Sequence, residues 1–117
     1  MLKWEQVAVD AHDPATLGAW WAKALGWVVV DDDPNVFEIR PEPEQIPGLM
    51  FLSNPDAKSV KNRLHLDLRP DDQDREVARF LSLGATRVDV GQGDVTWVVL
   101  QDPEGNEFCV LRSDQVG

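Results

Sequence analysis

The chemistry-bearing residues of this 117-residue chain are few, and most of them fall in its second half. His65 and Asp67 stand two apart in Arg63-Leu64-His65-Leu66-Asp67-Leu68, where Leu64, Leu66 and Leu68 alternate with polar residues. Alternate side chains of a strand point to opposite faces, so the imidazole and the carboxylate are expected to project together, away from the leucines. Such a pair can hold a cation or move a proton. In the same way Gln6, with Ala8 and Asp10, is expected opposite Val7 and Val9. Glu107 shares parity with Cys109 in the last apolar run, and a free thiol favours zinc or another soft ion over a hard one. Trp97, on a strand face with Val95 and Val99, can stack a planar or cationic ligand.

Each of these has a plainer reading. Cys109 in an apolar strand behaves mostly as a small hydrophobic residue, and Trp97 serves packing as readily as stacking. Trp20 and Trp21 lie on a helical stripe and are assigned to core or dimer packing. Asp31-Asp32-Asp33 lacks ligand spacing and reads as a solvated turn, and His12 as a surface loop residue. No Gly-rich phosphate loop, nucleophile elbow or paired-cysteine motif is present, which removes those enzyme classes.

Charge and composition narrow the partners. A net charge of −10 and a pI near 4.4 repel phosphate backbones, so no nucleic acid is expected, whereas a neutral or cationic small molecule is compatible. No apolar run approaches the roughly 20 residues that span a bilayer, so no membrane partner is expected. One cysteine and no apolar leading segment point to a cytoplasmic location.

The elements that must carry these residues recur in order. After the strand around Val7 and Val9, Asp13 caps a helix with Pro14 in its first turn and Leu17, Trp20, Trp21, Ala24 and Leu25 on one stripe, stopped at Gly26. Strands follow over 27–30, Val36 to Arg40 and Gly48 to Ser53, with Asp31 to Asn35 as a turn and the three-proline stretch Pro41 to Pro47 as a loop. The second half repeats the series: a strand around Leu64 to Leu68, a helix begun by Pro70-Asp71-Asp72 and stopped at Gly84, then strands over Thr86 to Val90, Val95 to Leu100 and Asn106 to Arg112. The glycine stops are offset by 84 − 26 = 58, and the first strands by 65 − 6 = 59. The expected fold is α+β, a single domain over 1–117 of two βαβββ modules, about 1–54 and 62–113, forming a curved mixed sheet around a concave pocket.

Gln6-Val7-Ala8-Val9, Asp13-Pro14 leading to Trp20-Trp21 and Leu25-Gly26-Trp27, the His65 strand, and Asp102-Pro103-Glu104-Gly105-Asn106-Glu107-Phe108 together resemble the glyoxalase/bleomycin-resistance/extradiol-dioxygenase (vicinal oxygen chelate) superfamily. The resemblance covers nearly the whole chain. It implies a homodimer, and in metal-dependent members one ligand on each of four inner strands, with His or Gln on the first strand of a module and Glu on the last. Gln6 and His65 match the first-strand positions. The last-strand position falls on Cys109, and 109 − 58 = 51 makes Phe51 its counterpart; neither is a carboxylate. Glu107 is the nearest substitute.

The expectation is therefore a small-molecule-binding domain with an incomplete or absent metal site and a pocket of Gln6, Phe51, His65, Asp67, Trp97 and Cys109, needing no cofactor. The alternatives are a metal-dependent lyase, isomerase or dioxygenase acting on a vicinal-oxygen substrate, using zinc, nickel, iron or manganese on Gln6 and His65 with Glu107 or Asp67 as ligand or base, and an antibiotic-sequestering resistance protein. The substrate, and whether modules pair within a chain or swap between chains, are not encoded in any motif.

Overall fold

Both helices begin at an aspartate. Asp13 accepts the backbone N–H of Thr16 at 3.2 Å and its hydroxyl at 2.8 Å, and Pro14 opens α1 (Pro14–Leu25), whose end at Gly26 takes the left-handed conformation, φ 70°. This is the satisfaction of orphan N–H groups that an N-cap supplies, followed by the αL stop that glycine tolerates without strain. Asp72 repeats the device, accepting from the backbone N–H of Arg75 at 3.1 Å at the start of α2 (Gln73–Ser82). The buried stripe of α1 is rotated from the expected one: Gly18 and Ala22 join Leu17, Trp21 and Ala24, while Trp20 and Leu25 are only half-buried. The cause is Phe37, whose ring lies so close to Gly18 that a Cβ there would stand 2.2 Å from Cδ1.

The computed structural model describes residues 1–89, 91 and 95–113, and its internal contacts divide the chain into a unit ending at Ala57 and a unit beginning at Lys58. The first holds β1 (Gln6–Ala11), α1, β2 (Val28–Asp33), β3 (Val36–Arg40) and β4 (Gly48–Ser53). Its sheet runs β1-β4-β3-β2, with β1 parallel to β4 and the other pairs antiparallel. The second holds β5 (Leu66–Leu68), α2, β6 (Thr86–Arg87), β7 (Val98–Gln101) and β8 (Glu107–Val110). Its order, β5-β8-β7-β6, repeats the first, again with the outer pair β5/β8 parallel. Each unit is thus a βαβββ module with one helix against one mixed four-stranded sheet.

Several element bounds differ from the sequence expectation. Asp31, Asp32 and Asp33 belong to β2 rather than to a turn, with a register shift between Val29 and Asp31; the turn proper is only Pro34-Asn35. Strand β5 is short, and Leu64, expected to face the helix, is 85% exposed. The ladder stops there because the incoming chain donates Asn62 N–H to the Glu107 carboxylate at 3.0 Å instead of pairing with β8. Trp97 lies just before β7 rather than inside it. The expected end of the Thr86 strand, Val90, is outside the described residues. The Asp102-Pro103-Glu104-Gly105-Asn106 motif is structural: the buried Asp102 carboxylate accepts the backbone N–H groups of Glu104 and Asn106, each at 2.9 Å, and closes the β7–β8 turn.

Register settles which face each side chain takes. In the first sheet Phe37 meets α1, so its cross-strand partner Phe51 and Val9 beyond it also face the helix, with Ile39 and Leu49 one repeat along. In the second, Phe108 packs on Phe80 of α2 at 5.0 Å between ring centroids, and Val110 and Leu100 share that side. The intervening residues form the opposite face of each sheet, open in the sense that it lies away from the module's helix, although Glu38, Val99, Glu107 and Cys109 on it are buried.

Candidate functional site

On the open face of the second sheet, Asp67 of β5 lies beside Cys109 of β8, Cys109 beside Val99 of β7, and Val99 accepts a backbone bond from Val88 at 3.1 Å. Successive strands are about 4.8 Å apart, so this row grades from a carboxylate to aliphatic side chains across one sheet. Val99, Cys109 and Leu111 form a buried cluster against which Val88 and Trp97 pack. A cavity of about 350 Å³ adjoins the aliphatic end, lined by Arg87, Val88, Asp89, Trp97, Val98 and Val99. At the other end His65 Nε2 lies 3.1 Å from Asp67 Oδ1, both side chains about two-fifths exposed. Donor atoms of His65, Asp67 and Cys109 all fall within 4.8 Å of one another. Burial, together with the charge and hydrogen bond of Asp67, pushes the Cys109 thiol up to about 11, so near neutral pH it is a protonated donor rather than a nucleophile.

Glu107 shares this face, as parity required, but its carboxylate is already engaged. Lys58 Nζ lies 2.8 Å from Oε1 and Asn62 N–H donates to Oε2 at 3.0 Å. Desolvation of the nearly buried carboxyl pushes its pKa up, yet the Lys58 and backbone hydrogen bonds outweigh that and hold it below the ordinary value. The ion pair pins the 58–62 segment onto β8.

In the first sheet Gln6 is also on the open face, with its side-chain amide 3.5 Å from Met50 Sδ. Phe51, expected in the pocket, is not there: it is fully buried on the helix side. The reason lies in the repeat offset. Helix-facing strand positions of the two modules correspond at the first-strand offset of 59, Val7 with Leu66 and Leu49 with Phe108, so the counterpart of Cys109 is 109 − 59 = 50, Met50. Subtracting the glycine offset crosses to the wrong face. Glu38, missed in the sequence, is the buried carboxylate of this open face, 8% exposed. It lies cross-strand from Met50 and accepts from Arg40 Nε at 2.8 Å, an ion pair that also ties Glu5. Its signal was available: Glu38 is the polar residue between Phe37 and Ile39 in an otherwise alternating strand.

The four-ligand oxygen and nitrogen set implied for metal-dependent relatives does not fit these residues. The last-strand positions supply a thioether at Met50 and a protonated thiol at Cys109, the Glu107 carboxylate is neutralised by Lys58, and Glu38 is paired with Arg40.

With this geometry in view, the relationships of the chain are plain. The glyoxalase-like domain family profile matches residues 6–111, and the chain belongs to that family. No protein among the curated sequences matches it. Solved structures share the fold. A glyoxalase/bleomycin resistance protein/dioxygenase family enzyme from Burkholderia phytofirmans PsJN aligns with TM-score 0.72 at 16% identity, covering 96% of this chain and 99% of that one. The trypanothione-dependent glyoxalase I of Leishmania major gives 0.74 at 16% identity, covering 97% and 88%. TnmS3, an antibiotic binding protein from Streptomyces sp. CB03234, gives 0.62 at 18% identity, covering 96% of each chain. The α+β fold of two βαβββ modules is thereby that of the vicinal oxygen chelate superfamily.

Proposed function

We propose that this chain binds a small organic molecule on the open face of its second sheet, without the family's four-ligand metal centre. The observation that carries this reading is the polarity gradient of that face, from the His65–Asp67 pair through Cys109 to the cluster of Val99, Leu111, Val88 and Trp97. An amphipathic ligand with a planar apolar body on Trp97 and a hydrogen-bond donor or cationic group toward Asp67 matches it. The open depression beside Trp97, about 350 Å³, offers a wall against which one face of such a molecule can lie. The negative net charge favours a neutral or cationic ligand, and sequestration of an antibiotic, in keeping with the antibiotic binding of the Streptomyces protein TnmS3, is a form of the same reading. A thermal-shift screen of planar aromatic amines and amides tests it. Stabilising compounds are expected to lose about tenfold or more in affinity with Trp97→Ala. Stoichiometric turnover of any of them, or binding indifferent to both Trp97→Ala and Asp67→Asn, argues for another site.

A second element of the proposal is self-association. Strand β2 is a sheet edge, and its Val28, Val29 and Val30 are 39%, 46% and 37% exposed. An apolar exposed edge of this kind is commonly covered by a symmetric partner. Sedimentation equilibrium is expected to give a dimer that Val29→Lys weakens; a monomer at all accessible concentrations would remove this element. Among the described residues no helix is long and apolar enough to cross a membrane.

A further inference from the structure

The segment that leads into β5 is fastened at a single carboxylate. From Lys58 to His65 no helix or strand forms, and every residue is exposed except Lys58 and Asn62. Val60 and Leu64 are 74% and 85% exposed, so the segment has no apolar anchor. Both of its less exposed residues reach the same place: Lys58 Nζ donates to Glu107 Oε1 at 2.8 Å and the Asn62 N–H donates to Oε2 at 3.0 Å. The same ammonium also donates to the Val60 carbonyl, which draws residues 58–62 into a strap. Glu107 shares its face of β8 with Cys109, and the positive charge of Lys61 bears on the Cys109 thiol. The strap therefore lies at the carboxylate-bearing end of that face.

We propose that this strap is autoinhibitory: Lys58 fills an ammonium subsite at Glu107, and a ligand bearing a primary ammonium group binds by taking its place and releasing residues 58–62. The receiving carboxylate is fixed, 7% exposed on a strand paired on both sides, whereas its occupant sits on an irregular segment. Exchanging one ammonium for another keeps the charge and the hydrogen bond of Glu107 satisfied, so no buried carboxylate is stranded. What the chain loses is only the tether, worth an effective concentration on the order of millimolar for a short flexible link. The subsite selects by donor chemistry. A primary ammonium is a compact charge with three N–H donors, a quaternary one has no N–H, and a guanidinium is a planar fork. A ligand that also lays an apolar body along Val99 and Trp97 gains contacts that Lys58 lacks, and so displaces it. That competition rests on the ligand-binding reading above; the strap and its fastening do not.

A nitroxide label on Ser59→Cys reads the strap directly, because Ser59 is exposed and the natural Cys109 is buried. Propylammonium chloride is the probe, and tetramethylammonium chloride at equal concentration the control. In the full-length chain the label is expected to be immobilised, to become mobile on adding propylammonium with a saturating response centred on the order of tens of millimolar, and to stay immobilised in tetramethylammonium. Lys58→Met is expected to free the label with no amine present. Lys58→Met/Glu107→Gln is expected to do the same without a stranded charge, so a loosened strap is not confused with unfolding. Propylammonium has no planar body for Trp97, so this response stands or falls apart from the ligand-binding reading, which the Trp97→Ala comparison tests. A label that propylammonium does not release, or that is already mobile in the otherwise unaltered chain, overturns the proposal. So does a label still immobilised in the double variant, which marks a strap held elsewhere, or an equal response to both salts, which marks an effect of ionic strength.

Discussion

Phe51→Ala is expected to lower the unfolding free energy by about 3–5 kcal/mol, the range for emptying a buried aromatic site. Phe51 has no exposed surface, lies cross-strand from Val9 and Phe37, and shares the helix side with Phe37, whose ring is packed closely over Gly18. The cavity would be walled by a helix and three strands that cannot collapse into it, which places the cost toward the upper part of that range. Met50→Ala, one residue earlier and half-buried on the open face, is expected to cost clearly less. Urea unfolding of the two variants, with the slope checked for constancy, measures both. If Phe51→Ala were nearly silent while Met50→Ala unfolded the module, the assignment of faces in β4 would be inverted, and with it the matching of Met50 to Cys109.

That pair of residues also shows where the sequence was informative and where it was not. Alternation of Val7 with Gln6 and Ala8, the Asp13-Pro14 and Asp72 helix starts, and the glycines at 26 and 84 are local signals, and each was realised in place. They suffice for two βαβββ modules. Carrying a site from one module to the other is a different operation, because strand parity has period two and a shift of one residue exchanges core for open face. The helix stops and the first strands differ by one in their offsets, and only the strand pairing says which offset governs β4. Burial of charge was the other gap. Nothing in the order of residues announces that Lys58, in a polar connector, reaches Glu107 across 49 positions, or that Glu38 and Arg40 neutralise each other. Those pairings decide which carboxylates remain available for chemistry. The ends of β5 and β7 are a further non-local feature: Leu64 and Val95 continue an apolar pattern, but a ladder extends only as far as a partner backbone is free to pair.

Lys58→Met is expected to destabilise the protein by about 2–3 kcal/mol at neutral pH, somewhat less than breaking a fully enclosed ion pair, because the Lys58 side chain keeps 18% of its surface in water. The loss arises from the carboxylate left behind: Glu107 is 7% exposed, and without the ammonium only the Asn62 N–H offsets its desolvation. The double variant Lys58→Met/Glu107→Gln removes the stranded charge and is expected to return to within about 1 kcal/mol of the parent. The pH dependence has a fixed sign. Glu107 titrates below its ordinary 4.5 in the folded chain, so the unfolded state binds its proton first. The stabilisation is full above the ordinary carboxylate value and is lost as pH falls through the depressed one. The gap between the parent and Lys58→Met should therefore be full at neutral pH, narrow on acidification as the carboxylate stranded in the variant takes up its proton, and close once Glu107 is protonated in both chains, which chemical denaturation at a series of falling pH values reads directly. A level gap near zero, as for a surface pair, would mean that the 58–62 segment does not hold Glu107. A free carboxylate would then lie on the same face as His65, and the metal-dependent lyase, isomerase or dioxygenase reading would regain the ligand or base that this ion pair takes from it.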